Sequence, residues 1–167
     1  MTRPVASVDM ANEPLPPGVT VTSDDASISA TVEVDASPAD VFDFVRRPAN
    51  HAIISGDGTV RTTTSGPEVL GPGDKFGMNM KMGVPYRISS TVKEFDQDHV
   101  IAWCHLGGHR WRWTIEPLGD DRSRVTETYD QSTARFPPAL RLMGYPKRHR
   151  DNVAKSVANV ADHFRSA

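Results

Sequence analysis

Residues 146–164 constrain the fold more than any other stretch of the chain. Val153, Val157, Val160 and Phe164 recur at steps of four, three and four, so at about 100° per residue they form one stripe, with Ala161 at its margin. Lys147, Arg148, Lys155, Asn159, Asp162 and Arg165 fall mostly away from it. The pattern predicts one long helix, roughly 30 Å from end to end, with one buried face. Gly144 and Pro146 break the chain ahead of it, and proline is tolerated in a first helical turn, where its missing N–H has no intrahelical partner. A stripe of that length needs a broad apolar surface to lie on, and the alternating strands upstream are the candidate.

Those strands show by their period. Ile28, Ala30, Val32 and Val34 alternate with polar residues, predicting a strand with one wet face. Ser37 followed by Pro38 reads as a helix start, with the serine as N-cap, the proline as first helical residue and Asp40 as a favourable charge in the first turn. Val41, Phe42, Phe44 and Val45 give that short helix an apolar side, and Pro48 ends it. A second short helical turn and the loop Gly56-Asp57-Gly58 then lead into a strand at 59–64. After the turn Gly71-Pro72-Gly73, the residues Phe76, Met78, Met80 and Met82 alternate with Lys75, Gly77, Asn79 and Lys81. The alternation continues through Val84, Tyr86, Ile88, Ser90 and Val92 on a long strand that turns back at Gln97-Asp98.

Gly107-Gly108 predicts a two-residue hairpin turn, which pairs Leu106 with His109, Cys104 with Trp111, Ala102 with Trp113 and Val100 with Ile115. In that register Trp111 and Trp113 share a face with the smaller Cys104 and Ala102, while Arg110 and Arg112 lie on the other face, opposite His105 and Trp103. A last strand at 123–132 puts Val125, Glu127, Tyr129 and Gln131 on one side.

Composition removes other classes. A chain of 167 residues, 38% hydrophobic, makes one domain that buries about two thirds of its unfolded surface. Residues 1–25 lack periodic apolar positions and carry Pro4, Pro14, Pro16 and Pro17, which predicts a flexible N-terminal arm ahead of a domain at 26–167. With a formal charge of −2 there is no basic stripe for nucleic acid, and Lys147, Arg148 and Arg150 read as a solvated helix face. The single Cys104 makes no intramolecular disulfide and fits a reducing compartment. No apolar run is long enough for stable membrane insertion and the N-terminus lacks a signal pattern, so a cytoplasmic protein is expected; association as a homodimer stays open.

Several chemistries also find no support. There is no Gly-x-Ser-x-Gly elbow, no Walker-type phosphate loop and no Gly-x-Gly-x-x-Gly after a strand, so no cofactor is expected. His105 and His109 are four apart, but the predicted hairpin sends them to opposite faces, so no metal site is expected either. Cys104 among the indoles would have a raised thiol pKa and be inert.

A strand, two short helices, six further antiparallel strands and a long C-terminal helix form an order that resembles the helix-grip fold of the START-like, birch-pollen-allergen-like (SRPBCC) superfamily. Val34-Asp35-Ala36-Ser37-Pro38-Ala39-Asp40-Val41-Phe42-Asp43, Trp111-Arg112-Trp113-Thr114-Ile115-Glu116-Pro117-Leu118-Gly119 and Ser123-Arg124-Val125-Thr126-Glu127-Thr128 are similar to its polyketide cyclase/dehydrase branch. The resemblance covers roughly residues 26–165. It implies an α+β fold in which a seven-stranded curved antiparallel sheet grips the C-terminal helix around a cavity for a hydrophobic small molecule. It names no reaction, because the superfamily holds both enzymes and carriers.

The residues support such a cavity independently. Its wall would carry Phe76, Met78, Met80, Met82, Tyr86, Ile88, Trp111, Trp113 and Tyr129, facing Val153 and Val157 on the helix. Methionine is unbranched and polarizable and remoulds around ligands, although any one of these side chains equally fills an ordinary core. His149, at the edge of the helix stripe, either caps the mouth or snorkels to solvent.

Glu127 points with Val125 and Tyr129 into the apolar side, where desolvation would raise its pKa and suit it to general acid or base work. The alternative is a structural bond to an arginine or a backbone amide. Tyr86 and His109 are the other inward catalytic candidates, each also explained by packing or a rim position. Two functions follow. One is a carrier or sensor of a lipid-like or polycyclic aromatic or polyketide ligand. The other is a polyketide cyclase or dehydratase in which Glu127 exchanges protons with Tyr86, Tyr129 or His109. One buried acid without an oriented base favours the first.

Overall fold

The computed structural model describes residues 14–135 and 145–166, with side chains of the last segment described from His149 onward. Ser27–Val34 forms a strand (β2) that buries Ile28, Ala30, Val32 and Val34, as its alternation requires. Ser37 caps the next helix, α1 (Pro38–Val45): its hydroxyl accepts the Asp40 N–H at 3.2 Å and donates to the Asp40 carboxylate at 2.7 Å. A 3-10 turn at Pro48–Asn50 leads into one turn of α-helix, α2 (His51–Ile54). Six strands follow: β3 (Val60–Ser65), β4 (Lys75–Met82), β5 (Val84–Asp96), β6 (Val100–Cys104), β7 (Arg110–Gly119) and β8 (Arg122–Asp130). The chain ends in α3 (Tyr145–Arg165), with Pro146 in its first turn.

All neighbouring strands are antiparallel, and the sheet order is β1-β2-β8-β7-β6-β5-β4-β3. Among the described residues the sheet therefore has eight strands rather than the expected seven. The extra one is β1 (Thr20–Ser23), which pairs with β2 from Thr20↔Thr31 to Ser23↔Ile28 and lies inside the stretch expected to be an arm. Four residues at an edge are too few to show a period. Residues 1–13 of that arm and the break at Gly144 lie outside the described residues.

The helical stripe packs as its spacing requires. Val153, Val157 and Val160 have no exposed surface, and α3 lies along β2 and β8. Burying each valine is worth roughly 1.5–3 kcal/mol.

The β6–β7 hairpin differs from expectation by one residue. No two-residue turn forms; five residues, 105–109, separate the strands, and the turn closes with the Gly108 N–H on the His105 carbonyl at 3.0 Å while Gly108 takes φ +81°. The Thr133 hydroxyl and the Arg135 N–H hold the Gly108 and Gly107 carbonyls at 2.7 and 3.2 Å. An odd loop shifts the register, so Trp103 faces Trp111, Ile101 faces Trp113, and Cys104 faces Arg110. Trp111 and Trp113 keep their expected face and Trp103 joins them. Cys104 does not lie among the indoles as expected; it shares the opposite face with Arg110 and Arg112, which both bind Glu94.

Gly56 fixes the loop between α2 and β3 against α3. A Cβ there would sit 2.1 Å from the Asn152 carbonyl oxygen and 2.8 Å from the Ser156 amide nitrogen, both backbone atoms that cannot step aside. Gly58, by contrast, needs its glycine for φ +64° and has open space around it. Gly56→Ala should lower unfolding free energy by about 2 kcal/mol or more, and Gly58→Ala by about 1 kcal/mol. Urea titration measures both, and equal losses would show that the loop does not bear on α3.

Candidate functional site

A cavity of about 280 Å³ opens between the inner face of β4–β8, the α2–β3 loop and the first half of α3. Its sheet wall is apolar: Phe76, Met78, Met80 and Ile88 come from β4 and β5, and Trp111 and Trp113 from β7. Met82 and Tyr86 stand at the mouth, 66% and 39% exposed. Glu127, His109 and His149 also line it. Three expected wall residues do not. Tyr129 lies fully buried behind His109 and Trp111, with ring centroids 5.0 and 4.9 Å away, and Val153 and Val157 face β2 and β8 as core.

Other wall residues escaped the sequence reading. His51 is buried at the start of α2, a helix too short to display a period. Its Nε2–H donates to the Val45 carbonyl at 3.0 Å, and its ring stacks on Trp103 at 4.7 Å. Burial pushes its pKa down to about 4. Trp103 and His105 reach the cavity because of the hairpin offset. Asn152 and Ser156 flank the valine stripe with His149 at steps of three and four, a polar edge that helical spacing does carry.

Glu127 is the one carboxyl group set deep in this wall, 5% exposed. Its polar neighbour is the Ser156 hydroxyl, which accepts the Gly56 N–H at 3.2 Å and favours the ionised carboxyl. Oε2 is buried and has no partner, and the same holds for Nε1 of Trp113, its direct cross-strand neighbour. Desolvation, with the negative charge of Asp57 adding to it, pushes the Glu127 pKa up to about 8, against the lowering effect of the Ser156 bond. At neutral pH the protonated form predominates.

Beyond Glu127 along the sheet, imidazoles gather. The rings of His105 and His109 meet edge to face at 4.3 Å, so these two side chains share the cavity side rather than lying on opposite faces as expected; the odd loop is again the cause. His149 comes from α3 and packs against Trp111 at 5.2 Å and Tyr129 at 4.0 Å. Burial, then the neighbouring His105 and His149, pushes the His109 pKa down to about 4, and burial also lowers that of His105. Among the described residues no three His, Cys, Asp or Glu side chains come together in a metal-binding arrangement. No helix among them is long and apolar enough to cross a membrane.

The comparisons with known proteins agree with this architecture. The chain is 36% identical over 154 residues to uncharacterized protein Rv0088 of Mycobacterium tuberculosis, covering 87% of this chain and 69% of the relative. Protein Ms6760 of Mycobacterium smegmatis shares the fold at a TM-score of 0.65 and 15% identity, over 89% of this chain and 98% of that one. The ZhuI aromatase/cyclase of Streptomyces sp. R1128 does so at a TM-score of 0.62 and 19% identity, over 83% and 93%. The profile of the family described as "Polyketide cyclase / dehydrase and lipid transport" matches residues 25–165. With that match along nearly its whole length, the chain belongs to the polyketide cyclase/dehydrase and lipid transport family.

Proposed function

We propose that this chain binds a compact, neutral, hydrophobic molecule whose acceptor oxygen docks at Glu127, and that it acts as a carrier or sensor. The observation that carries this reading is the unpartnered Oε2 of Glu127, together with the unpartnered Nε1 of Trp113 on the strand position paired with it. An unmet buried polar atom costs about 1–3 kcal/mol, a cost that a ligand can relieve. A protonated carboxyl and an indole N–H are both donors, and two adjacent donors suit a carbonyl oxygen. No lysine or arginine is among the described residues lining the cavity, so a carboxylate or phosphate would meet no countercharge there. The volume lies at the small end of ligand sites, which span about 300–1,000 Å³, and favours fused rings over a long acyl chain.

A second reading rests on the Glu127 pKa near 8. A carboxyl that populates both forms near neutral pH is matched to proton transfer, as a cyclase or dehydratase requires. Glu127 would give its proton to a departing hydroxyl and, as the carboxylate so formed, take the proton from the adjacent carbon, so that water is lost and the carboxyl is restored. One fold neighbour is an aromatase/cyclase. On this reading Glu127→Gln lowers turnover of a poly-β-keto substrate by about a hundredfold or more while leaving binding intact. A wild type with no turnover leaves the carrier reading standing.

Binding itself is read by quenching of tryptophan fluorescence. Glu127→Leu should weaken 2-acetylnaphthalene about tenfold, the value of one hydrogen bond, and leave naphthalene unchanged or tighter. Glu127→Gln, which still donates, should stay near wild type. At pH 7, 2-naphthoate should bind at least tenfold more weakly than 2-acetylnaphthalene; absence of any uptake, or preference for the carboxylate, defeats the proposal.

Proton linkage supplies an independent check. Because the folded pKa of Glu127 is raised, the folded state holds more protons than the unfolded one between about pH 4.5 and 8, and stability falls as pH rises through that window. Subtracting the profile of wild type from that of Glu127→Gln cancels His51 and His109, whose lowered values act in the opposite sense below pH 6.5. The glutamine's advantage should grow from near zero at pH 5 to on the order of a few kcal/mol at pH 8.5. Parallel urea-unfolding profiles would mean that Glu127 ionises normally.

A further inference from the structure

The cavity has a second polar end that the Glu127 site does not use. His105 and His109 lie edge to face at 4.3 Å, His149 descends from α3, and all three line the cavity. The Gly107 N–H donates to Nδ1 of His105 at 3.4 Å, which leaves Nε2 of His105 to carry the proton of the neutral ring. Gln131 directly follows β8, one position beyond the Arg110↔Asp130 pair. Its amide is 1% exposed, and neither its nitrogen nor its oxygen has a partner. Donors and acceptors thus coexist at this end, whereas Glu127 and Trp113 present donors at the other.

Position sets the two ends apart. Glu127 pairs with Trp113, and His109 lies four residues from Trp113 along the same face of β7. At about 3.4 Å per residue that is roughly 13 Å between backbones, with Trp111 and Tyr129 filling the interval. A hydroxyl both donates and accepts, so it matches an imidazole cluster as a carbonyl matches the donor pair. A carboxylate or ammonium fits neither end: burial holds His105 and His109 below the usual imidazole range, and the aromatic surround desolvates any ion placed there.

We propose that His105, His109 and His149 form a hydroxyl-recognition subsite, so that the cavity selects neutral ring systems with a carbonyl at one end and a phenolic or enolic hydroxyl at the other. This rests on the binding reading above and names the substrate class for it. His109, with a neighbour on either side, is the central member.

Four probes on one scaffold test it: naphthalene, 2-acetylnaphthalene, 2-naphthol and 6-acetyl-2-naphthol, each titrated by tryptophan quenching and by calorimetry. For wild type, 6-acetyl-2-naphthol should bind about tenfold tighter than 2-acetylnaphthalene. His109→Phe keeps an aromatic ring in place and should reduce that advantage to less than about twofold. Glu127→Gln should leave the hydroxyl advantage intact. Gln131→Leu serves if His109→Phe does not fold, and should at least halve the advantage. Acetyl probes that bind well with no gain from the hydroxyl overturn the subsite and leave the Glu127 reading standing. A hydroxyl advantage untouched by either variant overturns it too. Failure of every probe to bind overturns both.

Discussion

Everything at the site depends on where α3 lies. Its valine stripe is used up against β2 and β8, one half of the sheet, where those side chains reach zero exposure. The other half, β4 to β6, curves past the helix rather than packing on it. Apolar side chains there, from Phe76 to Trp103, pack against one another and against α2, and the space left between them and α3 is the cavity. A helix stripe twice as wide would close that space and make a solid core. The cavity thus follows from a narrow stripe meeting a broad curved sheet.

The same geometry explains why polar groups sit where burial is costly. Trp113, Glu127 and Gln131 all carry buried polar atoms without partners; the first two lie on the inner face of β7 and β8, and Gln131 directly follows β8. Apolar residues at those positions would stabilise the fold more, since each unmet group costs about 1–3 kcal/mol. Ser156, whose hydroxyl accepts the Gly56 N–H, favours the ionised form of the Glu127 carboxyl. Holding a carboxyl in a dry wall instead of letting it reach solvent is a cost to stability of the kind found at functional sites.

Most of the fold was legible in the sequence. Period two in β2, β4, β5 and β8, period 3.6 in α3 and the Ser37-Pro38 cap each specify an element locally, and the structure keeps them. Glu127 was legible for the same reason: strand alternation alone sends it inward. What stayed hidden depends on turn geometry or on elements too short for a period. β1 has four residues, α2 has four, and His51 is buried by the packing of Trp103 and Phe76 rather than by any pattern of its own. Asn152 and Ser156 were readable as the polar flank of α3, but only once the stripe was known to face the sheet and the flank to face the cavity.

The hairpin offset shows how much chemistry one residue of register controls. A two-residue Gly107-Gly108 turn would have set Trp103 and His105 on the face that carries Arg110 and Arg112. The observed loop instead lets Gly108 turn at φ +81°, held by Thr133 and Arg135 from the chain beyond β8. Trp103 then stacks on His51, His105 meets His109, and both arginines stay outside, held by the bidentate carboxylate of Glu94. Pairing with Glu94 holds that carboxyl below its usual range and raises the pKa of Arg112, so this charge cluster is satisfied on the outer face. The cavity therefore gains neutral imidazoles while the strand's cations stay outside. That exchange adds imidazole donors and acceptors to an apolar pocket with one buried acid, and the proposed hydroxyl subsite rests on it.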